Sequence, residues 1–524
     1  MASRLPGTLY EKGGGPVVEV TIHKGKYTER RTAVEGQNLL EFMQETGYSV
    51  PAACGGRHTC GKCKVCVTGD LSDKDREESK FLKGLDADVR LACFAKIQGP
   101  CTLWLPEADT NQIETSFIGS GEKTDPVYEG YGVAFDIGTT TVVGYLFEDS
   151  HPEPLAVCGE MNNQLPYGAD VLSRIVYCNE HTVKPLQRLL RDQLSRIATE
   201  LCCESEVQQE AVQCMVITGN TTMLHILAGM DPGPLAIVPF VPRSLFGSWH
   251  NLKLKGFEKA KAYLPGCMSA YVGADITCSI LAGNLKDRPG NILLVDAGTN
   301  GEMVLKTKDR LVCCSTAAGP AFEGAGITCG SSAVEGAIDT VYFNGNGLSY
   351  TTIGGKPAKS LCGSGLIDGA AAMLNGKIMD KKGLIHANPE RTAFIGETEV
   401  FINQQDIRQL QLAKAAVRAG MDTLMDTCGL DYSSLDQIVL CGGFGSCMNP
   451  MSAGRIGMIP WEMRYRTEAI GNGAGKGAGA ILQNRGQLEY SVQIVKEAET
   501  VELSMSSYFM KRYVKMMDFH EVME

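Results

Sequence analysis

Hydrophobic and polar positions alternate in several short segments near the start of the chain. PVVEVTIH alternates like a half-buried strand, and GQNLLEFMQETGY places Leu39, Leu40 and Met43 on one face of an amphipathic helix. VRLACFAKI and CTLWLP predict further short strands. Strands around one helix within residues 16–103 therefore predict a small α+β domain.

A strand, a turn and a second strand occur twice in the rest of the chain. VAFDIGTTTVVGYLF begins at Val133 and ILLVDAGTNGEMVL begins at Ile292, so that Asp136 and Asp296 hold matching positions. Between them, PLQRLLRDQLSRIATEL predicts an amphipathic helix. The repeat predicts two related α/β domains that face each other across a cleft. The alternative is a chance likeness between two buried hairpins.

Polar residues with little periodicity connect the two regions, and we interpret them as a linker. We expect an N-terminal domain at 1–103, the linker at 104–130, a first α/β half at 131–289 and a second half at 290–524. The second half includes a C-terminal segment rich in Met and Tyr.

Composition and charge exclude several classes of protein. Hydrophobic residues make up 44% and charged residues 21%, as in ordinary globular proteins. The net charge of −11 argues against nucleic acid or anionic lipid as a partner. Apolar runs fall short of the ~18 residues that span a bilayer. The start, MASRLPGTLYEKGGGP, lacks the apolar segment of a secretory signal, so we expect a cytoplasmic protein.

Twenty cysteines are many for a cytoplasmic protein and predict thiols or metal ligands rather than disulfides. Cys54, Cys60 and Cys63 share one loop, and Cys93 follows on a later segment. Four thiolates at this spacing are close to the plant-type arrangement that binds a [2Fe–2S] cluster. Glycines in the loop allow backbone N–H groups to point at the sulfurs.

A structural zinc site is the alternative, because Cys60 and Cys63 alone fit one, although Cys93 has no near cysteine partner. Cys66 alternates with valines on a predicted strand, and we expect a small buried thiol there. The loop resembles that of adrenodoxin-like and other [2Fe–2S] ferredoxin domains. The resemblance implies one-electron transfer.

The two Asp-Gly-Thr turns suit the binding of phosphate. Their N–H and hydroxyl groups hold phosphate oxygens, while the aspartates bind Mg²⁺ through water. A third, glycine-rich turn in IVLCGGFGSCMNP suits the base or sugar of a nucleotide. The segment GAGKGAG does not fit a P-loop. The candidate cofactor-binding residues are Asp136, Gly138, Thr139, Thr140, Thr141, Asp296, Gly298, Thr299, Asn300, Gly301, Gly442, Gly443 and Gly445.

Three such turns in this order resemble the actin, Hsp70 and sugar-kinase superfamily of ATPases over residues 132–485. In that superfamily the two hairpins clamp the phosphates and the third turn holds adenosine, so the resemblance implies ATP as a cofactor. Glu302 and Glu323 are candidates for positioning water, with a capping or solvated carboxylate as the alternative for each. We assign no catalytic base from the sequence.

The predicted fold is a multidomain α/β protein. An N-terminal α+β, β-grasp-like ferredoxin domain and a linker precede two related actin-like α/β domains around a nucleotide cleft. This combination resembles the reductive activators of corrinoid-dependent methyltransferases, and NNQLPYGADVLSRI, VITGNTTMLHILAG and CSTAAGPAFEGAGI look like segments of that family.

The resemblance implies ATP-dependent re-reduction of an inactive Co(II) corrinoid to Co(I) through a [2Fe–2S] cluster, within an anaerobic methyl-transfer system. It also implies a corrinoid protein as partner and a homodimer formed through the C-terminal region. Neither the upstream electron donor nor the methyl donor is identified. The alternatives are a metabolite kinase with a regulatory ferredoxin domain and an ATP-switched scaffold or chaperone.

Overall fold

The computed structural model describes residues 16–24, 27–46, 48, 56, 58, 61, 63–82, 87–105, 125–445 and 447–520. The chain divides into two compact units, Met1–Asp109 with Asn163–Tyr177, and Thr110–Asn162 with Cys178–Glu524. Most of the predicted linker lies outside the described residues. The first two residues of the predicted linker belong to a strand. Asp125, within the second unit, donates its backbone N–H to the carbonyl oxygen of Gln483 at 3.0 Å. Within the described ranges, no helix has the length and apolar character needed to cross a membrane.

The N-terminal unit contains one mixed sheet with two short helices. Its elements are β1 (Val17–Lys24), β2 (Tyr27–Val34), α1 (Leu39–Glu45), β3 (Lys64–Leu71), α2 (Arg76–Phe81), β4 (Val89–Leu91) and β5 (Ile97–Leu105). The strand order is β2-β1-β5-β3-β4, in which only β1 and β5 pair in parallel. The predicted helix face, Leu39, Leu40 and Met43, is buried in the core of this sheet. The expected α+β domain is confirmed.

The first repeated half forms a six-stranded sheet. Its elements are β6 (Tyr131–Ile137), β7 (Thr141–Glu148), β8 (Ala156–Met161), α3 (Val171–His181), α4 (Lys184–Glu204), β9 (Val212–Gly219), α5 (Thr221–Ala228), β10 (Ser248–His250), β11 (Lys261–Leu264) and α6 (Ala274–Ala282). The order is β10-β11-β9-β6-β7-β8. The predicted amphipathic helix is α4, and Leu186, Leu190 and Leu194 on its inner stripe are fully buried.

The second half repeats this sheet and carries more helices. Its strands are β12 (Ile292–Ala297), β13 (Asn300–Lys306), β14 (Leu311–Ala317), β15 (Ala337–Phe343), β16 (Leu348–Thr352), β17 (Ser360–Leu361), β18 (Thr392–Phe394), β19 (Phe401–Asn403), β20 (Gln437–Cys441), β21 (Thr467–Ala469) and β22 (Ala498–Thr500). Its helices are α7 (Gly363–Asn375), α8 (Gln404–Thr427), α9 (Gly442–Gly445), α10 (Pro450–Arg455), α11 (Gly473–Gln483), α12 (Arg485–Glu497) and α13 (Ser507–Lys515). The large sheet has the order β21-β20-β12-β13-β14-β22, and two small sheets have the orders β16-β15-β17 and β18-β19.

Five strands of each large sheet share one topology, whereas the sixth differs: β10 pairs antiparallel with β11 in the first sheet, and β22 pairs parallel with β14 in the second. In each, three consecutive strands pair antiparallel, and parallel strands extend the sheet on the other side of the first one. Strand β9 of the first sheet thus corresponds to β20 of the second. The predicted repeat therefore has a structural basis, and the hairpin tips of the two halves occupy equivalent places.

Helices α6 and α11 cross between the two sheets and share a hydrophobic core with both. Glycine makes the crossing possible, since a Cβ at Gly477 would lie only 1.9 Å from the carbonyl oxygen of Cys278. GAGKGAG is therefore helical and packs against α6, which agrees with its rejection as a phosphate-binding loop.

Candidate functional site

Two of the four predicted cluster ligands, Cys63 and Cys93, lie within the described residues, whereas Cys54 and Cys60 lie outside them. The Cys63 thiol donates to the Cys93 sulfur across 3.3 Å, and both side chains are buried. Antiparallel pairing of β3 with β4 brings the two cysteines together. In this register Lys64, directly after Cys63, lies opposite Leu91, two residues before Cys93. Sheet pairing therefore positions this half of the predicted ligand set.

Hydrogen bonds to its carbonyl oxygen hold the turn of Cys93 in place. Asn38 Nδ2 donates to this oxygen at 2.7 Å, and His58 Nε2 lies 2.9 Å from it. The His58 ring stacks on Phe94 with ring centroids 4.0 Å apart. Asn38 Oδ1 also accepts from Leu40 N at the start of α1, so that the helix and the cysteine turn are fixed to each other.

The electrostatics of Cys63 favour the thiolate, which is the form of cysteine that binds iron. The pKa of the Cys63 thiol is lowered to about 7, first by its hydrogen bond with Cys93 and further by backbone N–H groups, although burial opposes the shift. A thiolate is the form of cysteine that coordinates a metal. The described half of the predicted ligand set thus fits a [2Fe–2S] cluster.

Cys66 corrects one expectation. It lies on β3, as predicted, but its side chain is exposed, whereas Val65 and Val67 are 4% and 3% exposed. Successive side chains of a strand point to opposite faces, so the valines that face the core direct Cys66 outward. The expectation of a buried thiol was wrong.

The two Asp-Gly-Thr motifs form hairpins with closely related tips. Asp136 pairs with Val143 across β6 and β7, and Asp296 pairs with Glu302 across β12 and β13. Both aspartates lie on the first strand of their hairpin, next to the turn. The turns contain Gly138, Thr139 and Thr140 before Thr141 in the first hairpin, and Gly298 and Thr299 before Asn300 and Gly301 in the second.

The two aspartates face one region from opposite halves of the protein. Burial, with a smaller contribution from the charge of nearby Asp296, raises the pKa of Asp136 to about 7, although a hydrogen bond from Asn472 Nδ2 at 3.0 Å opposes the shift. Burial also raises the pKa of Asp296 to about 6, with a contribution from Glu323. The repeat therefore places two buried carboxyl groups with raised pKa values between its two hairpins.

The third predicted turn lies directly beside Asp296. Strand β20 runs parallel to β12, and Cys441 at its end is the register partner of Asp296. Gly442 follows with φ +86°, and a Cβ there would lie 2.3 Å from Asp296 Oδ1. Gly443 and Gly445 continue the turn as α9, so the predicted strand-to-helix turn is present. Only glycine fits at position 442.

The structure adds two carboxylates to the cluster. Asp275, in the first turn of α6, is not among the residues that the sequence singled out. Glu302 on β13 was a candidate for positioning water, with a capping or solvated carboxylate as the alternative. Burial raises the pKa of Asp275 to about 8, with contributions from Asp296 and Asp136. Burial and two of these aspartates raise the pKa of Glu302 well above its usual value. The sequence signal for Asp275 was weak, since an acidic residue in the first turn of a helix is common without any ligand.

Two asparagines fix the first hairpin. Asn472 caps α11 by accepting from Gly475 N at 2.8 Å while it donates to Asp136. Asn162 donates from its backbone N to Thr140 O and from Nδ2 to Gly138 O, both at 2.8 Å. Each asparagine is distant in sequence from the aspartate motif, and no local pattern related them to it.

The arrangement suits a phosphate with a bound cation. The hairpin tips supply N–H and hydroxyl donors for phosphate oxygens. The adjacent carboxylates suit a cation, whose charge would balance that of the phosphate. Within the described residues, no group of three or more His, Cys, Asp or Glu side chains is arranged to hold a metal ion.

Comparison with protein families divides the chain into three segments. Residues 22–98 match the 2Fe-2S iron-sulfur cluster binding domain. Residues 131–288 match the RACo middle region, and residues 290–524 match the C-terminal domain of RACo, the ASKHA domain. The N-terminal ferredoxin-like fold and the actin-like fold of the repeated halves are thereby established.

Two curated relatives and one solved structure align with most of this chain. The chain is 32% identical over 431 residues to the corrinoid activation enzyme RamQ of Eubacterium limosum, covering 76% of this chain and 71% of that protein. It is 23% identical over 412 residues to the [Co(II) methylated amine-specific corrinoid protein] reductase of Methanosarcina barkeri, covering 72% and 74% of the two chains. A solved structure, the reductive activator for corrinoid,iron-sulfur protein, matches 96% of this chain and 98% of its own, with a TM-score of 0.70 and 26% identity.

Proposed function

The chain belongs to the family of corrinoid activation enzymes, and from this membership we propose that it re-reduces an inactive Co(II) corrinoid to Co(I) at the expense of ATP. The observation that carries the proposal is the buried contact of Cys63 with Cys93, in a chain that also contains the paired aspartate hairpins. One electron converts Co(II) to Co(I). The protein is thus an iron–sulfur reductase that acts on another protein's cofactor.

Cys54, Cys60, Cys63 and Cys93 would hold the [2Fe–2S] cluster, which supplies one electron at a time when bound. The lowered pKa of Cys63 supports this role, because the ligand must be a thiolate. Asn38 supports it further, since its bond to the Cys93 carbonyl fixes one ligand turn before a cluster binds. Such second-sphere bonds orient the ligands of a metal site.

The hairpins would hold ATP with Mg²⁺. Thr139 to Thr141 and Thr299 would donate to phosphate oxygens, and Gly442 would allow adenosine to approach the backbone. Asp136 and Asp296 would bind the magnesium ion through water, because Mg²⁺ retains several waters in protein sites. A cation would also favour the ionised state of these buried carboxylates, whose pKa values are raised without one.

ATP contributes to an unfavourable reduction only if it favours a state with a different affinity for the partner. We propose that nucleotide binding closes the cleft between the repeated halves and changes the surface that docks the corrinoid protein. Closure would assist removal of an axial ligand from Co(II), which makes its reduction easier. We propose a corrinoid protein as the partner. We also propose that the protein is a homodimer and that the reaction takes place in the cytoplasm.

The test is reduction of a Co(II) corrinoid protein under anaerobic conditions with an artificial low-potential donor. The absorbance of Co(I) should appear with the wild-type protein and ATP and should fall at least tenfold without ATP. Cys93→Ser should abolish it, whereas Cys66→Ser, which removes an exposed thiol from the same domain, should retain it. Equal rates with and without ATP would contradict the coupling, and full activity of Cys93→Ser would contradict the route through the cluster.

Product analysis separates this function from the kinase alternative. Release of inorganic phosphate accords with an ATP-driven activator, whereas a phosphorylated small molecule would identify a kinase. Size measurement by light scattering tests the homodimer independently of either activity.

A further inference from the structure

Glu323 connects the two phosphate-type hairpins through its carboxylate. Its Oε1 accepts from Thr299 N at 3.0 Å and from Thr299 Oγ1 at 2.8 Å. Its Oε2 accepts from Thr140 Oγ1 at 3.3 Å. Thr140 belongs to the tip of the first hairpin and Thr299 to the tip of the second, so one side chain spans the cleft between the halves.

The local backbone holds Glu323 in this position. It ends a short 3-10 turn, Pro320–Glu323, that follows β14, and Phe322 beside it is 1% exposed. Gly319 N donates to Thr299 O at 2.9 Å, which joins this turn to the second hairpin. Gly324 has φ +75°, and a Cβ there would approach the backbone of Ser331 to 2.2 Å. The carboxylate is thus presented to the hairpin tips by a constrained segment.

The bonds that Glu323 accepts are those that a phosphate would accept. A backbone N–H and two hydroxyl groups from glycine-threonine turns bind anionic oxygens, and a carboxylate presents two such oxygens with a negative charge. The three bonds oppose the rise in pKa that burial causes for Glu323. Its donors therefore stabilise an anion at the place where the two hairpins meet.

We propose that Glu323 is an internal substitute for a phosphate group: in the nucleotide-free protein it occupies the donors of Thr140 and Thr299, and the phosphate of ATP displaces it. This inference rests on the proposed use of ATP. Displacement exchanges a bridge made by the protein for one made by the nucleotide, so phosphate entry acts on both halves at once. Repulsion between the carboxylate and the phosphate lowers the affinity for ATP and makes the exchange reversible.

Two variants separate the effect of the Glu323 charge from the effect of its hydrogen bonds. Glu323→Gln keeps the shape and an acceptor for Thr299 but removes the negative charge, while Glu323→Ala removes both. A displaced anion predicts tighter nucleotide binding by both variants, on the order of tenfold, because the phosphate then meets no opposing charge. A purely structural bridge predicts unchanged binding by the Gln variant and weaker binding by the Ala variant.

The experiment measures the affinity of the full-length, cluster-loaded protein for a non-hydrolysable ATP analogue with Mg²⁺ by calorimetry. Glu390→Gln, which changes an exposed glutamate, serves as the matched control. Thermal unfolding without nucleotide verifies that each variant is folded, and inorganic phosphate is titrated as a second probe. Tighter binding of both probes by Glu323→Gln and of the analogue by Glu323→Ala supports the inference.

Unchanged or weaker binding of the ATP analogue by Glu323→Gln would overturn the inference. This holds also if the variant hydrolyses ATP more slowly but binds the analogue as the wild type does. That outcome leaves the proposed function intact as long as the wild-type protein binds the nucleotide. Wild-type protein that binds no nucleotide contradicts the proposed use of ATP itself. The two failures are therefore distinguished by the wild-type titration.

Discussion

Burial sets the chemistry of single side chains far from the candidate site as well as within it. Lys414 on α8 is fully buried, its Nζ donates to the carbonyl oxygen of Asp518, and it lies 4.9 Å from the centre of the Phe519 ring. Its pKa is lowered to about 7, first by burial and then by the charge of Arg418, while Asp518 opposes the shift. The Lys414 side chain thus binds the C-terminal segment by a hydrogen bond, although its lowered pKa means that the amine is not fully protonated at neutral pH.

We predict that Lys414 makes the folded protein more stable as pH rises above 7. Between pH 7 and about 10 this amine is protonated in the unfolded chain but not in the folded chain. The unfolded state therefore binds more protons, and the free energy of unfolding increases with pH. The gain is at most ~1.4 kcal/mol per pH unit. Chemical unfolding at pH 7, 8 and 9 should show a smaller increase for Lys414→Met than for wild type. The exposed Lys377→Met should follow wild type, and coinciding curves for Lys414→Met and wild type would contradict the prediction.

Secondary-structure elements are joined in this protein by a few buried contacts that sequence periodicity does not reveal. In the N-terminal domain, Arg90 on β4 donates twice to Glu78 on α2, each time at 2.9 Å, and Leu91 N donates to the same carboxylate at 2.8 Å. Both charged residues are at most 5% exposed. This pair fixes α2 to the strand that leads into Cys93.

Glu78→Ala should destabilise the N-terminal domain by ~3–5 kcal/mol, because it leaves the buried guanidinium of Arg90 without its partner. Glu77→Ala is the matched control on the same helix, since Glu77 forms an exposed pair with Lys80 worth at most ~1 kcal/mol. The measurement is the loss of cluster absorbance with increasing denaturant. Similar midpoints for the two variants would show that the buried pair does not hold the domain together.

Gly477→Ala should weaken the crossing of α6 and α11. The added methyl group collides with the Cys278 carbonyl, and relief of such overpacking costs ~1–3 kcal/mol. Thermal unfolding should register the loss, together with weaker nucleotide binding, because Asp275 and Asn472 lie at the starts of these helices. Gly347→Ala, where a Cβ meets nothing within 4 Å, is the control. Wild-type stability in Gly477→Ala would contradict the close packing.

At the scale of the whole molecule, the duplicated sheet creates the candidate nucleotide site from both halves. Asp136 and Asp296 hold equivalent positions, yet each is completed by a residue from elsewhere, Asn472 for the first and Cys441 for the second. The site therefore depends on the association of the halves. A ligand that bridges them should stabilise the whole second unit.

We expect Mg²⁺ and ATP together to raise the melting temperature of the wild-type protein. Ligand at 100 times its dissociation constant adds ~2.7 kcal/mol to the free energy of unfolding. Asp136→Asn and Asp296→Asn should lose most of this increase, since both remove a charge that would hold the hydrated cation. Asp309→Asn, an exposed change in the turn before β14, should retain it. An unaltered increase in both aspartate variants would argue against the metal role.

Much of this organisation was readable from local pattern. Alternation predicted β1 and β3, an apolar stripe with helical spacing predicted α4, and the repeated motif located Asp136 and Asp296 in matching hairpins. Such signals survive in sequence because strands and helices impose periods of two and 3.6 residues. Cys66 shows the limit of even this signal, since its strand was predicted but its exposure was not.

The sequence by itself determined the class of each domain and located the two aspartate turns, because each arises within a short stretch of chain, while the set of four cluster cysteines stays a prediction. Only the tertiary structure decided which distant groups join these turns. Asp275 and Asn472 reach the hairpins through the crossing of α6 and α11. Glu323, which the sequence suggested only as a candidate for positioning water, bridges the two hairpin tips from the turn after β14. The physical reason is that burial and charge proximity depend on the packing of elements separated by hundreds of residues, whereas periodicity depends only on neighbours.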